Sequence, residues 1–183
     1  MSTAFPLAER NEPGYRREQV DEFLSRARAS YEQSSAGDDA VTSADIRRTA
    51  FTVRRKGYSA RHVDAAMDRL EEVFFERERR ARIAEFGEES WWAETRQLLS
   101  ELRGRLERPK GARFRRRSLF ASGYRRAQVD AFLDQVTTML HGEGSLTTAD
   151  IRGVVFHSEW RGYNEDQVDA LLDAVIVLML STR

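Results

Sequence analysis

Four stretches of this chain set apolar residues at helical spacing, each a few residues after a Gly-Tyr pair. They are Val20, Phe23, Leu24, Ala27 and Tyr31; Val63, Met67, Leu70 and Phe74; Val129, Phe132, Leu133 and Val136; and Val168, Leu171, Leu172, Val175 and Met179. Apolar positions three and four apart share one face of a helix, so each stretch predicts an amphipathic helix with one buried side. The last is denser, because Leu171, Leu172, Val175, Ile176, Val177, Leu178, Met179 and Leu180 surround a helix almost completely. That helix is expected to be buried among other modules or in a homo-oligomer. Thr42 with Asp45, and Thr147 with Asp150, read as capping boxes opening short helices that hold Ile46 or Ile151 and reach Phe51 or Phe156. Between the halves, 88–108 predicts a helix with Trp91, Leu98, Leu99, Leu102 and Leu106 on one side, stopped by Pro109 and Gly111. One of the adjacent Trp91 and Trp92 is expected to pack inward. No segment alternates with period two, so the fold class expected is all-α: repeated short helix-loop-long helix modules with a central amphipathic helix.

The polar positions repeat as well. Gly14-Tyr15 precedes Val20-Asp21, Gly57-Tyr58 precedes Val63-Asp64, Gly123-Tyr124 precedes Val129-Asp130, and Gly162-Tyr163 precedes Val168-Asp169, always with four residues between the pairs. Segment 41–58 aligns without a gap with 146–163, and GYRREQVDEFL at 14–24 aligns with GYRRAQVDAFL at 123–133. Copies one and three are thus one type, two and four another, and the surplus spacing in the first half falls around 33–40. The organisation expected is a module pair at 1–80, a charged central helix and basic linker at 81–112, and a second pair at 113–183. Gly57 and Gly162 should share a conformation, with Tyr58 and Tyr163 packed on the short helices. Helix starts are read at Ser59 and at Asn164, the latter with Gln167 completing a box. The arginine pairs Arg16-Arg17 and Arg125-Arg126 oppose the helix dipole. They call for compensation, by Asp21 and Asp130 one turn on or by a docked anion or acidic partner.

Composition narrows the chemistry. The 30 basic and 30 acidic residues balance, but 76–117 holds 13 basic against 8 acidic and 118–183 holds 5 against 9. From Arg108 to Arg117 there are Lys110, Arg113, Arg115, Arg116 and Arg117 without an acid, the strongest local charge signal. There is no cysteine, which excludes disulfides and thiolate metal sites. His62, His141 and His157 stand in non-equivalent places, and no metal-spaced pair, phosphate-binding glycine loop or nucleophile motif is present. No enzyme and no cofactor is expected. The opening MSTAFPLAERNEPGY lacks a signal pattern, and the apolar run at 171–180 is too short to span a bilayer. A cytoplasmic location follows as the expectation.

Segment 146–175, LTTADIRGVVFHSEWRGYNEDQVDALLDAV, resembles the N-terminal head of DivIVA-family bacterial cell-division and polar-growth proteins. Copy two is similar nearly throughout, and copies one and three share the core running from Phe5 and Phe114 through Gly-Tyr to Val-Asp. Four copies in register make the chain resemble actinobacterial proteins built from repeated DivIVA-type domains. The resemblance implies dimerisation through a long helix continuing as a coiled coil, and a loop tip whose aromatic-basic pair enters the inner face of the cytoplasmic membrane. Copy four keeps that pair as Trp160-Arg161; copy two has Arg55-Lys56, copy one Glu12-Pro13 and copy three Ala121-Ser122. With four heads on one chain, intramolecular pairing can replace dimerisation.

The function expected is therefore that of a non-enzymatic adaptor in bacterial cell division or polar cell-wall growth, binding protein partners of that machinery. Trp160, Arg161, Arg55, Lys56, Arg113, Arg115, Arg116 and Arg117 are its candidate membrane or partner contacts. For Trp160 the alternative is packing over the Gly-Tyr turn, and for the arginine run a solvated linker. A soluble regulator that binds a DivIVA-type scaffold without membrane contact is the runner-up. Nucleic acid is disfavoured by the acidic C-terminal half. Homo-oligomerisation stays open.

Overall fold

The Gly-Tyr pairs, read as turns between helices, lie in or beside short β-strands: Tyr15, Tyr58 and Tyr124 are in strands and Tyr163 makes isolated bridges. The computed structural model describes residues 5–32 and 40–182, so segment 33–39, which holds most of the surplus spacing, lies outside the described residues. The chain divides into two compact units, Met1–Glu85 and Phe86–Arg183. The first contains β1 (Gly14–Tyr15), α1 (Arg17–Glu32), α2 (Ser43–Arg48), β2 (Tyr58–Ser59) and α3 (Ala60–Phe86, whose last residue falls across the boundary). The second contains α4 (Glu88–Leu106), β3 (Ser122–Tyr124), α5 (Arg126–Leu140), α6 (Thr148–Gly153), β4 (Ser158–Trp160) and α7 (Glu165–Ser181). The expected all-α class holds in that the chain is mostly helical, with two small antiparallel sheets, β1-β2 and β3-β4, among the described residues. Strands of two or three residues are too short to show a period-two pattern.

The central segment is not a separate body. Gly87, at φ 87°, precedes α4, and α4 packs on α7 and α5 within the second unit. Leu102 and Leu106 are buried, whereas Trp91, Leu98 and Leu99 are half-buried. α7 needs such cover, since Leu171, Leu172, Val175, Ile176, Leu178 and Leu180 are all buried. In the first unit the positions corresponding to Ile176 and Val177 are Glu71 and Glu72. Glu71 there holds Arg47 of α2 in a buried ion pair at 2.7 Å, and Glu78 accepts from Ser43 N–H and Oγ at 2.7 and 2.6 Å.

Both capping boxes form. Thr42 and Thr147 accept from the N–H of Asp45 and Asp150, and each aspartate accepts from the cap's backbone N–H. Such caps contribute roughly 1 kcal/mol each.

The two units share a pairing pattern. Tyr15 pairs with Tyr58 and bridges Val53, while Leu7 bridges Tyr58; Tyr124 pairs with Ser158 and bridges Tyr163, while Arg116 bridges Tyr163. The aromatic contacts match too. Phe5 meets Tyr58 edge-on at 5.5 Å and Phe114 meets Tyr163 at 5.2 Å. Phe23 meets Phe51, and Phe132 meets Phe156, both at 6.0 Å. Gly57 and Gly162 are glycine because a Cβ would lie 2.1 Å from Tyr15 O or 2.4 Å from Tyr124 O. Close backbone approach, not positive φ, is the requirement.

The expected packing of Tyr58 on the short helix is not what forms. Tyr58 clusters with Val20 and Val63 and is flanked by Phe5, whereas Ile46 of α2 packs with Phe23, Ala27 and Phe74. The tyrosine packs between the helix of its own copy, at Val63, and that of the preceding copy, at Val20.

Candidate interaction surface

The Tyr and Asp of the repeat are exchanged between neighbouring copies. Tyr58 Oη donates to Asp21 Oδ2 at 3.2 Å, and Tyr163 Oη donates to Asp130 Oδ1 at 3.0 Å. In the opposite direction Tyr124 Oη donates to Asp169 Oδ2 at 3.4 Å, and Tyr15 bonds Asp64. The tyrosines Tyr15, Tyr124 and Tyr163 are pushed above the ordinary phenol range, first by burial and then by these carboxylates. Burial also raises Asp64 and Asp169. The four tyrosines and four aspartates of the repeat thus form two reciprocal latches, which is a structural role.

Arginines at the helix starts find acids elsewhere than expected. Asp130 is occupied by Tyr163 and by Gly111 N–H at 2.7 Å. Arg126 turns instead to Glu159 across the sheet, donating from its backbone N–H at 2.9 Å and from Nε at 3.4 Å. These bonds, the backbone one first, hold the Glu159 carboxyl below the usual range. Asp21, likewise, receives Tyr58, and Arg16 rather than Arg17 pairs, with Glu18 at 3.4 Å. At the start of α7 Asn164 Oδ1 caps Gln167 N–H, but no box closes: Gln167 Oε1 accepts from Arg115 N–H at 3.0 Å.

The basic run separates into two parts. Arg113, expected among the surface contacts, is only 6% exposed. Its guanidinium reaches Asp134 at 2.8 Å and Asp130 O at 2.9 Å, and Lys110 joins Asp134 at 2.6 Å. This pair fastens the linker to α5 and withdraws Arg113 from any surface. Arg115 and Arg116 are exposed and Arg117 is half-buried. With Ser118, Ala121, Asn164 and Gln167 they line an open depression of about 480 Å³.

Beyond the depression the second unit ends in two neighbouring turns. Ala121 N–H donates to Ser118 O at 3.2 Å, closing Ser118–Ala121, and Gly162 N–H donates to Glu159 O at 2.9 Å, closing Glu159–Gly162. Arg161 N–H donates to Ala121 O at 3.1 Å and ties them together. Their tips carry Leu119, Phe120 and Trp160, which are 58%, 89% and 60% exposed. Trp160 therefore does not pack over the Gly-Tyr turn. Leu119 and Phe120 escaped the sequence reading, although two apolar residues outside any helical periodicity, directly after the arginines, were the signal available.

The first unit builds the same two turns, Glu9–Glu12 and Arg54–Gly57, closed at 3.1 and 3.3 Å. Where the second has Leu119, Phe120, Trp160 and Arg161, it has Arg10, Asn11, Arg55 and Lys56, all exposed. Lys56 and Arg161 both sit at positive φ, 60° and 54°, in the third position of a turn, where glycine or asparagine is favoured. Left-handed backbone costs such residues roughly 1–2 kcal/mol.

Among the described residues no cluster of His, Asp or Glu could hold a metal ion, and no helix is long and apolar enough to cross a membrane. No family model, curated protein or solved structure matches the chain.

Proposed function

We propose that this chain is a non-enzymatic interaction protein of DivIVA type, made of four modules in two pairs and serving as an adaptor in bacterial cell division or polar wall growth. The C-terminal pair meets the anionic inner face of the membrane through its two turns. The observation carrying this reading is the contrast between equivalent tips: Leu119, Phe120 and Trp160 stand in solvent at 58%, 89% and 60% exposure, where the N-terminal pair has Arg10, Asn11 and Arg55. The same backbone forms with polar residues, so the fold does not ask for apolar ones there. Aromatic tips beside Arg161 suit a lipid interface, where rings enter the acyl boundary and a guanidinium meets phosphate.

Co-sedimentation with anionic vesicles tests the reading. Phe120→Ser or Trp160→Ala should each lower partitioning about tenfold, the loss expected from roughly 1.5 kcal/mol of apolar burial per ring. Arg161→Gly should weaken binding to anionic but not neutral vesicles while keeping or raising Tm, because it relieves the left-handed strain. If the wild-type protein ignores anionic vesicles at low salt, the membrane contact is refuted. The soluble regulator of a DivIVA-type scaffold then remains, to be sought by pull-down from the source cell.

A further inference from the structure

The arginine side chains at 115–117 make none of the ion pairs described within the second unit. Their strand makes the same backbone bonds in both units: Asn164 N–H donates to Arg115 O and Arg117 N–H to Gly162 O, each at 2.8 Å, and Ser59 N–H donates to Pro6 O and Ala8 N–H to Gly57 O, each at 2.9 Å. In the first unit that strand is Pro6, Leu7 and Ala8. Three consecutive like charges repel one another, and among the described residues none of the three is within ion-pair distance of a carboxylate. Arg117 Nε has only Ser122 O, at 3.4 Å. The other walls of the depression add donors, since Asn164 and Gln167 use their side-chain oxygens on Gln167 and Arg115 N–H. Neither side-chain NH₂ is engaged by a described residue, and Ser118 contributes a hydroxyl. Glu165 and Asp166 follow in α7 but do not line the depression. In the first unit the positions of Ser118 and Ala121 are held by Glu9 and Glu12, which would repel an anion.

We propose that this depression binds a phosphate monoester. Guanidinium forks pair with phosphate oxygens through parallel N–H···O bonds. A monoester offers three free oxygens and a charge of about −1.5 to −2 at neutral pH, against two oxygens and one charge for a diester. Three forks with amide and hydroxyl donors match the former. Because the depression adjoins the tip of Leu119, Phe120 and Trp160, a lipid headgroup is one source and a soluble phosphate ester the other. Only the lipid source rests on the membrane reading.

The test compares phosphatidylcholine vesicles doped with phosphatidic acid or with phosphatidylglycerol at matched surface charge, beside calorimetric titration with glycerol 3-phosphate. Wild-type protein should prefer phosphatidic acid at least tenfold. Arg115→Gln with Arg116→Gln and Arg117→Gln should abolish the preference with an unchanged melt, as the arginine-free strand of the first unit implies. A control of equal charge, Arg61→Gln with Arg96→Gln and Arg103→Gln, should keep it. Vesicle binding without preference, or an equal loss in the control, overturns the site and leaves the membrane reading standing. Binding of glycerol 3-phosphate without vesicle binding supports the site and sinks the membrane reading. Binding of neither overturns both.

Discussion

Tyr163→Phe and Tyr58→Phe delete the same atom from the same motif in two environments, and the structure predicts unequal losses. Tyr163 is fully buried, and its hydroxyl donates to Asp130 at 3.0 Å while accepting Arg113 N–H at 3.3 Å. Asp130 is itself 5% exposed, so water cannot replace the lost donor. A hydrogen bond to a charged group contributes about 1.5–3 kcal/mol, and a stranded buried partner carries its full desolvation cost. Asp130 keeps Gly111 N–H at 2.7 Å, which places the loss near the middle of that range, about 2 kcal/mol. Tyr58 is also buried, but its partner Asp21 is exposed and can be hydrated instead. About 0.5–1 kcal/mol is expected there.

Urea unfolding followed by far-ultraviolet circular dichroism measures both, with midpoints compared at constant slope so that a change in m is not mistaken for a change in stability. In heat, each kcal/mol corresponds to about 2–4 °C for a chain of this size, so Tyr163→Phe should melt several degrees below Tyr58→Phe. Equal losses, or a larger one for Tyr58→Phe, would refute the claim that burial of the receiving aspartate sets the strength of the latch.

Two more outcomes follow from the same contacts. Gly162→Ala drives a Cβ to 2.4 Å from Tyr124 O, so the β3-β4 pairing must open; a loss of several degrees in Tm is expected, and an unchanged melt would show that the approach is not tight. Lowering the pH should cost stability through Asp134, whose carboxyl is held below the ordinary aspartate range by Lys110 first and by Arg113. Its contribution is complete above the unfolded value and is lost as pH falls through the depressed folded one, so Asp134→Asn should flatten the acid limb of a Tm-against-pH curve below about pH 4.

Helices and caps were legible because they are local. The spacing of Val168, Leu171, Leu172 and Val175 states a helix, and Thr147 with Asp150 states where another begins. The strands were not, since Gly14–Tyr15 is too short for any periodicity. The latches were hidden for a different reason. A fixed spacing between Tyr and Asp inside each copy suggests that the two serve one another, yet Tyr58 reaches Asp21 and Tyr15 reaches Asp64. Spacing within a repeat shows which residues are retained together, not which residues touch. The basic run was visible as charge, but composition gives no direction: nothing in ARFRRRS marks Arg113 as the arginine that turns inward to Asp134. That required knowing that α5 lies beneath it.

The two units also act as each other's control. Wherever both carry the same residue in the same contact, as with the latches, the capping boxes and the aromatic pairs, the residue is explained by folding. Wherever one backbone carries different residues without loss of its hydrogen bonds, folding leaves the choice open. By that criterion folding leaves two neighbouring places of the second unit open, the apolar tips and the arginine-lined depression, while the first unit keeps the same turns hydrophilic. A protein that needed four equivalent contacts would not vary there. One that needs a single surface-binding head and a second for a polar partner would vary in those places first, because tip residues change without disturbing the latch. Exchanging Leu119 and Phe120 with Arg10 and Asn11 should therefore leave the melt of both units nearly unchanged and transfer part of the vesicle affinity to the N-terminal tip. A collapse of either unit would show that the tips belong to the fold after all.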